Sequence, residues 1–354
     1  MFLEDLAWGF YSKGHQHPID VAIVEASEIL DDGSIVPGAA VGSIVEICHS
    51  ADKIIIEINK KFPSLKGIHV LLPPWTPPGY PYNIRHVNDR IGTNSIKVDP
   101  SKIVAIVESD FLYTGNEIRK TSKNSLKISQ HIIDFLMNEV KQGRLPPHLN
   151  PIQSGVGSIA NAVLDGLHEA PFHDLTVYTE VLQDSLLPMF DSGKLKFASS
   201  TSFTLFKWDH FFNHFETYRH KVLLRQQSIA NSGEVIRRLG VIAMDTPVEV
   251  DMYGHVNSTL VGGTRLINGI GGSGDYMRNA YLSIMHCPSV RRTKIDPTGV
   301  SCIVPMCSHI DHTEHDIDVI ATEQGLADLR GLCPIDRARL IIKNCAHPSY
   351  KDQL

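Results

Sequence analysis

ADKIIIEIN, residues 51–59, decides how this chain is read. Four isoleucines in nine residues form a run too short for a typical helix and too β-branched to favour one, so the stretch predicts a strand. IDVAIVEAS (19–27) and KIVAIVESD (102–110) repeat the pattern. Near-continuous apolarity of this kind is expected of strands covered on both faces, as in the parallel sheet of an α/β protein. Between the second and third runs, LPPWTPPGYP (72–81) can be neither helix nor central strand, because its prolines lack the N–H that both require. It is expected to be a surface connection.

The remainder of the chain extends the same class. A helix is predicted with Ile128, Ile132, Phe135, Leu136 and Val140 on one face and Gly143 as its terminating glycine. RLPPHLNP (144–151) interrupts the pattern and sets an expected boundary between a domain of residues 1–150 and one of 151–354. After it come a glycine turn with a helix, the strand LTVYT, a helix expected to begin near Leu182, and the extended GKLKFASSTSF. A chain of 354 residues, 42% hydrophobic and 20% charged, has room for two such cores. Its net charge of −6 and pI near 6.3 give no electrostatic footprint for nucleic acid or an anionic membrane, which directs attention to small-molecule partners. Six cysteines without a CxxC pair do not form a disulfide framework and fit an intracellular protein. No apolar run reaches membrane-spanning length, and MFLEDLAWGF does not have the pattern of a secretory signal.

Several motifs can carry chemistry. In VYTEVLQDS, Glu180 stands where an extended apolar run ends, and ligands of open α/β sheets bind outside the carboxyl ends of strands. Glu180 is therefore a site residue or an exposed loop acid. QSGVGSIANAV (153–163) places Gly155 and Gly157 ahead of a helix whose first N–H groups can bind an anion, although the turn lacks the third glycine of a dinucleotide fingerprint and the lysine of a P-loop. NGIGGSGDYMRNAYLS (268–283) brings Gly269, Gly271, Gly272 and Gly274 before another helical segment, and the acid that would complete a nucleotide fingerprint is missing downstream. For both turns, a purely conformational need for glycine stands beside the binding reading. Glu323 in ATEQG is a second strand-end acid, whereas Glu249 in PVEVDMYGHVNS alternates with apolar residues and reads as the other face of a strand. His309, His312 and His315, three apart among Asp311, Glu314 and Asp316, would line one side of a helix. They match no zinc pattern and are read as structural.

QSGVGSIANAV, VYTEVLQDS, the segment from LLRQQSIANSGEVIRRLG through VEVDMYGHVNST, NGIGGSGDYMRNAYLSI, the segment from IVPMCSHIDHTEHDID through TEQGLADLRGL, and NCAHPSY together resemble the acetyl-CoA hydrolase/transferase family of class I CoA-transferases. The resemblance covers nearly the whole chain, and KIDPTGVSCIVPM is similar to the family's fungal branch. It implies two open α/β domains of the CoA-transferase type, the first incomplete, with the active site in the cleft between them. It also implies that Glu180 is the nucleophile, that the backbone N–H groups of Val156 and Gly272 form an oxyanion hole, and that Asn231 and Glu323 line the acyl pocket beside Gly155, Gly157 and Gly271. Coenzyme A is implied as a substrate, with no tightly bound cofactor and no metal. The implied reactants are acetyl-CoA, succinyl-CoA and acetate or related short acids, handled by a homodimer in the cytoplasm or mitochondrion. Family members carry a further N-terminal piece and continue beyond Leu354, so the chain resembles a fragment. That implies exposed apolar surface in the first domain and, as the alternative to an active enzyme, a catalytically impaired CoA-binding piece.

Overall fold

The computed structural model describes residues 19–75, 78–112, 121–292, 296 and 298–354. They belong to two packed units, and each unit is built from two stretches of chain: Met1–Glu117 with Thr176–Leu239, and Ile118–Leu175 with Gly240–Leu354. The expected boundary near residue 150 lies inside one of these stretches. Segments far apart in sequence can pack together, so a unit need not be continuous in sequence.

In the first unit, the strands Ile35–Pro37, Val21–Ile29, Lys53–Asn59 and Ile103–Ser109 lie in that order. The pairs 21–29/53–59 and 53–59/103–109 are parallel, and Ile35–Pro37 turns back antiparallel. The three runs are therefore neighbouring strands, as expected, but they are not covered on both faces. Ala22, Val24, Ala26, Ile54 and Ile56 are buried, whereas Ile23 is 71% exposed and Val21, Val104, Ile106 and Val107 are exposed as well. β-Branched residues favour the extended backbone whether or not their face is covered, so a continuous apolar run identifies the strand and leaves its second face undetermined.

The same unit holds a second set of strands in the order Leu175–Tyr178, Leu195–Ser200, Val222–Arg225 and His69–Val70, with Leu175 itself belonging to the other unit. The last two pairings are parallel. Aromatic side chains fill the space beside them: Trp208 meets Phe62 edge-on at 4.9 Å, and Phe211 packs on Phe203 and Tyr218. The helix expected near Leu182 begins later. Val181–Gln183 is a strand, parallel to Ser202–Thr204, and the α-helix spans Leu187–Asp191 with Pro188 in its first turn. Proline suits a first helical turn, where the missing N–H costs no bond, and it marks the start more reliably than Leu182 does.

In the second unit, Gly325–Asp328, Val319–Thr322, Leu282–His286, Ile242–Asp245 and Ile152–Ser154 follow one another. All pairings but the first are parallel. The predicted helix spans Lys123–Lys141 and buries Ile128, Ile132, Ile133 and Leu136. Gly143, at φ +71°, ends it in a Schellman arrangement: Gly143 N–H reaches Val140 O at 3.0 Å and Arg144 N–H reaches Glu139 O at 2.9 Å. Helix Ser158–Glu169 packs against it so closely that a Cβ at Gly166 would lie 2.3 Å from Ser129 Oγ, which donates to Ala162 O at 2.7 Å. Glu139 is nearly fully buried and accepts from Arg144 and Arg330, whose bonds hold its carboxyl down to about 2 against the opposing cost of burial.

Candidate functional site

Glu180 belongs to the first unit and occupies the bend between strands Leu175–Tyr178 and Val181–Gln183. Two bonds fix its backbone, because its carbonyl accepts from Thr201 N–H at 3.0 Å and from Ser202 N–H at 3.3 Å. The preceding Thr179 donates to Ser199 O at 3.0 Å. Glu180 is thus an acid at a strand end, with a partly exposed side chain on a doubly held main chain. Its Oε2 stands 3.5 Å from Asn231 Nδ2, a long polar contact.

Asn231 is fully buried and terminates the one-turn helix Gln227–Ala230. Its N–H donates to Gln227 O at 2.9 Å, and the adjoining Ile229 carbonyl accepts the Tyr178 hydroxyl at 2.7 Å. Tyr178, two residues before Glu180, therefore ties the strand that carries the acid to the turn that carries Asn231. Glu180 and Asn231, for which the resemblance implies different roles, stand beside each other within one unit.

The other named residues lie in the second unit. Gly155, Val156 and Gly157 form the turn between strand Ile152–Ser154 and helix Ser158–Glu169. Gly157, at φ +141°, is the residue that opens the helix, and a side chain would strain that backbone. Val156 is 61% exposed, so this turn faces outward. Gly155 is required for a different reason. A Cβ there would stand 2.5 Å from Asp245 Oδ1, and Gly155 N–H donates to Met244 O at 2.9 Å. Asp245 is buried, accepts from Gln153 Nε2 at 3.1 Å, and has its carboxyl pushed up to about 6 by burial, with the Gln153 bond acting in the opposite direction. Sequence reading passed over Asp245, although an acid closing the apolar run VIAM is the signal that had singled out Glu180 and Glu323.

Gly271 (φ +61°) and Gly272 lead into helix Ser273–Asn279. The turn is pinned by Ser273, whose hydroxyl bonds Ile270 O at 2.9 Å and lies 3.1 Å from His312 Nε2. His312 is fully buried, and burial takes its pKa down to about 4 although Asp311 and Asp316 draw it up. Residues 309–318 are irregular rather than helical, so the histidines do not line one side of a helix. His309 faces Asp311 at 3.3 Å, His255 bridges Asp251 and Glu314 at 2.9 and 2.6 Å, and Asp311 accepts from Ser258 N and Thr259 Oγ1. Among the described residues, no group of three or more His, Cys, Asp or Glu side chains is disposed to hold a metal ion.

Glu323 follows strand Val319–Thr322 and is almost buried. Burial opposes its charge, but donation from Ser289 N at 2.8 Å, from the Ser289 hydroxyl and from Gln324 Nε2 at 3.0 Å outweighs it and leaves the pKa below the usual carboxylate value. Glu249 lies on strand Glu249–Asp251 and accepts from Asn257 Nδ2 at 2.9 Å, in keeping with its strand assignment.

The first unit contains an ionisable acid held at a strand end beside a buried amide, and the second contains glycine turns opening two helices. Carboxylates serve as nucleophiles in covalent acyl transfer, and backbone N–H groups at such turns can stabilise a developing oxyanion. Residues 1–108 match the acetyl-CoA hydrolase/transferase N-terminal domain, and residues 209–354 match the acetyl-CoA hydrolase/transferase C-terminal domain. An acetyl-CoA hydrolase of Yarrowia lipolytica is 53% identical and one of Candida albicans 54% identical, each alignment covering 100% of this chain and 68% of the relative. RipA from Yersinia pestis has a similar structure, with a TM-score of 0.76 at 22% identity over 99% of this chain and 72% of that one. So has a 4-hydroxybutyrate CoA-transferase from Porphyromonas gingivalis, with a TM-score of 0.70 at 20% identity over 99% of this chain and 77% of that one. The fold is thus the α/β fold of CoA-transferases, and the chain belongs to the acetyl-CoA hydrolase/transferase family.

Proposed function

We propose that Glu180 is the nucleophile of the acetyl-CoA hydrolase/CoA-transferase activity that family membership assigns to this chain. The observation that carries the proposal is local. One carboxylate stands at a strand end with its main chain held by Thr201 and Ser202 and its Oε2 beside a fully buried asparagine.

A carboxylate is ionised at neutral pH at its ordinary pKa of about 4.3 and needs no general base, but it is a weak nucleophile toward a thioester. Positioning supplies the rate, since effective molarities of about 10⁵–10⁸ M are available to well-aligned groups. A Glu180 oxygen attacks the acyl carbonyl, a C–O bond forms, the C–S bond breaks and CoA thiolate leaves, giving a mixed anhydride. The thiolate then attacks the glutamyl carbonyl and releases the acyl group as a carboxylate, leaving a glutamyl-CoA thioester. A second carboxylate reverses these steps and departs as its CoA thioester. Water attacking a covalent intermediate completes hydrolysis instead, so the two activities share one nucleophile and differ in access of water.

Each attack places negative charge on oxygen. We assign the Val156 and Gly272 N–H groups to that charge, with Gly155, Gly157 and Gly271 shaping the turns that present them, and Asn231 and Glu323 to the acyl pocket. A lost donor of this kind typically costs about 10²–10³ in rate. Acetyl-CoA, succinyl-CoA and acetate are the reactants we propose, in a homodimer located in the cytoplasm or mitochondrion, where CoA thioesters are made and consumed. Glu180→Ala tests the assignment: turnover is expected to vanish while CoA still binds. Retained turnover in that variant refutes it.

A further inference from the structure

Among the buried acids of the first unit that the acyl-transfer scheme leaves unused is Glu46. Glu46, in the first turn of helix Ile44–Ser50, is 3% exposed. Its Oε1 accepts from Ser228 Oγ at 2.7 Å and from Gln226 Nε2 at 2.9 Å, while Oε2 is buried without a hydrogen-bond partner. Burial raises its pKa against the pull of those bonds, so the group is held toward its neutral form. An apolar residue would avoid this desolvation cost, and the reason for an acid is found in what it holds.

It holds the turn that ends in Asn231. Gln227–Ala230 is a single helical turn, and an isolated segment of that length does not stay helical in water. Its fixed point is Gln226, whose backbone carbonyl accepts from Ile229 and Ala230 and whose side chain is gripped at both ends. Gln226 Nε2 bonds Glu46 and Ser228, and Gln226 Oε1 accepts from Leu72 N–H at 2.7 Å. Gln227 N–H donates to Gly42 O at 2.8 Å.

The residues just before Glu46 grip the other side of the nucleophile. Phe203 N–H donates to Ala39 O, and Val41 N–H donates to Thr201 O, both at 2.9 Å. Gly42 N–H donates to Thr201 Oγ1 at 3.0 Å. Thr201 and Ser202 are the residues that bond the Glu180 carbonyl. One segment, residues 39–46, therefore braces the backbone of Glu180 through Thr201 and its carboxylate through the Asn231 turn.

We infer that Glu46, acting through Gln226 and Ser228, is a positioning residue that sets Asn231 against the Glu180 carboxylate. This inference rests on the assignment of Glu180 as nucleophile. A positioning role predicts non-additivity, because Glu46 can exert its effect only where Asn231 is present. The test is a double-mutant cycle on the purified full chain, reading kcat and KM for acetyl-CoA. Glu46→Ala, Ser228→Ala and Asn231→Ala should each lower kcat about tenfold or more with KM nearly unchanged, the signature of a misplaced reacting group. Glu46→Gln, which restores an acceptor for Gln226 and Ser228, should recover most of the loss. Glu46→Ala/Asn231→Ala should be no slower than Asn231→Ala alone. Multiplicative losses in the double variant overturn the inference, as does wild-type kcat in Asn231→Ala. Should Glu46→Ala fail to fold, Ser228→Ala/Asn231→Ala, which removes only a hydroxyl at the first site, completes the cycle: a double variant no slower than Asn231→Ala supports the inference, and multiplicative losses overturn it. Failure of the underlying assignment is separate, because it shows as turnover in Glu180→Ala irrespective of the Glu46 variants.

Discussion

Adding one methyl group at Gly155 examines the proposed oxyanion role of its turn without touching a charge. The new Cβ would stand 2.5 Å from Asp245 Oδ1 and 3.6 Å from Met244 O, where ordinary contact begins at 3.4 Å. About 1 Å of movement is needed. Asp245 has little freedom to supply it, because its side chain is buried and bonded to Gln153, which also accepts from Met244 N–H at 2.9 Å. The turn has more freedom, being exposed at Val156, so Val156 N–H is the group expected to shift. A displacement of this size at a reacting geometry costs about 10²-fold, in line with the loss of an oxyanion donor. Steady-state turnover of acetyl-CoA by Gly155→Ala should show kcat reduced by about that factor with KM little changed, since a donor to the oxyanion acts mainly in the transition state. Asp245→Ser in the same chain makes room for the methyl and should restore part of the loss. Wild-type kcat in Gly155→Ala, in protein with an unaltered melting temperature, would refute the assignment of this turn.

Other expectations follow from the same packing. Gly272→Val should depress kcat by distorting the turn that Ser273 and His312 pin, while Glu180 remains open to covalent labelling, which peptide mapping would show. Glu25 is half-buried beside Glu57, and burial first, then that like charge, raises its pKa from 4.5 to about 7. The folded state thus keeps a proton that the unfolded state releases, and the associated stability is full below about pH 4.5 and lost as pH rises through 7. Allowing for partial solvent exposure, the loss should be about 1–2 kcal/mol, and Glu25→Gln should remove it in urea titrations at pH 5 and 8. Glu139 has the opposite sign. Its pKa is lowered from 4.5 to about 2 by Arg144 and Arg330, so its contribution is present above about pH 4.5 and disappears as pH falls toward 2. Glu139→Gln should cost about 2 kcal/mol at pH 7 by the same urea method, and the cost should shrink in acid.

The sequence was most legible where local chemistry alone determines structure. Gly143 closes its helix because a left-handed residue is needed there, and the isoleucine run at 54–58 is a strand because little else accommodates that branching. Glu180 could be singled out as a candidate because a charge ending an apolar run is costly unless it faces solvent or a ligand. Three features were hidden for physical reasons. Helix formation near Leu182 was overridden by parallel pairing of Val181–Gln183 with Ser202–Thr204, a partner about twenty residues away that periodicity cannot reveal. The exposed face of Val21, Ile23, Val104 and Ile106 could not be inferred, because propensity for strand is indifferent to what covers it. Asp245, Glu46 and Gln226 act through contacts with Gly155, Ser228 and Asn231's helical turn, and such long-range pairs leave no spacing in a single sequence. The roles proposed for Val156 and Gly272 rest on family resemblance, because no local pattern distinguishes these turns from ordinary tight ones.

The proposed mechanism turns on a covalent bond between Glu180 and CoA. Incubation with acetyl-CoA, borohydride reduction and intact-protein mass followed by peptide mapping test it most directly. A single modification is expected, conversion of one carboxyl to a primary alcohol, mapping to Glu180 and absent from Glu180→Ala. An unmodified mass in folded protein that turns over acetyl-CoA, or a modification at another carboxylate, would contradict it.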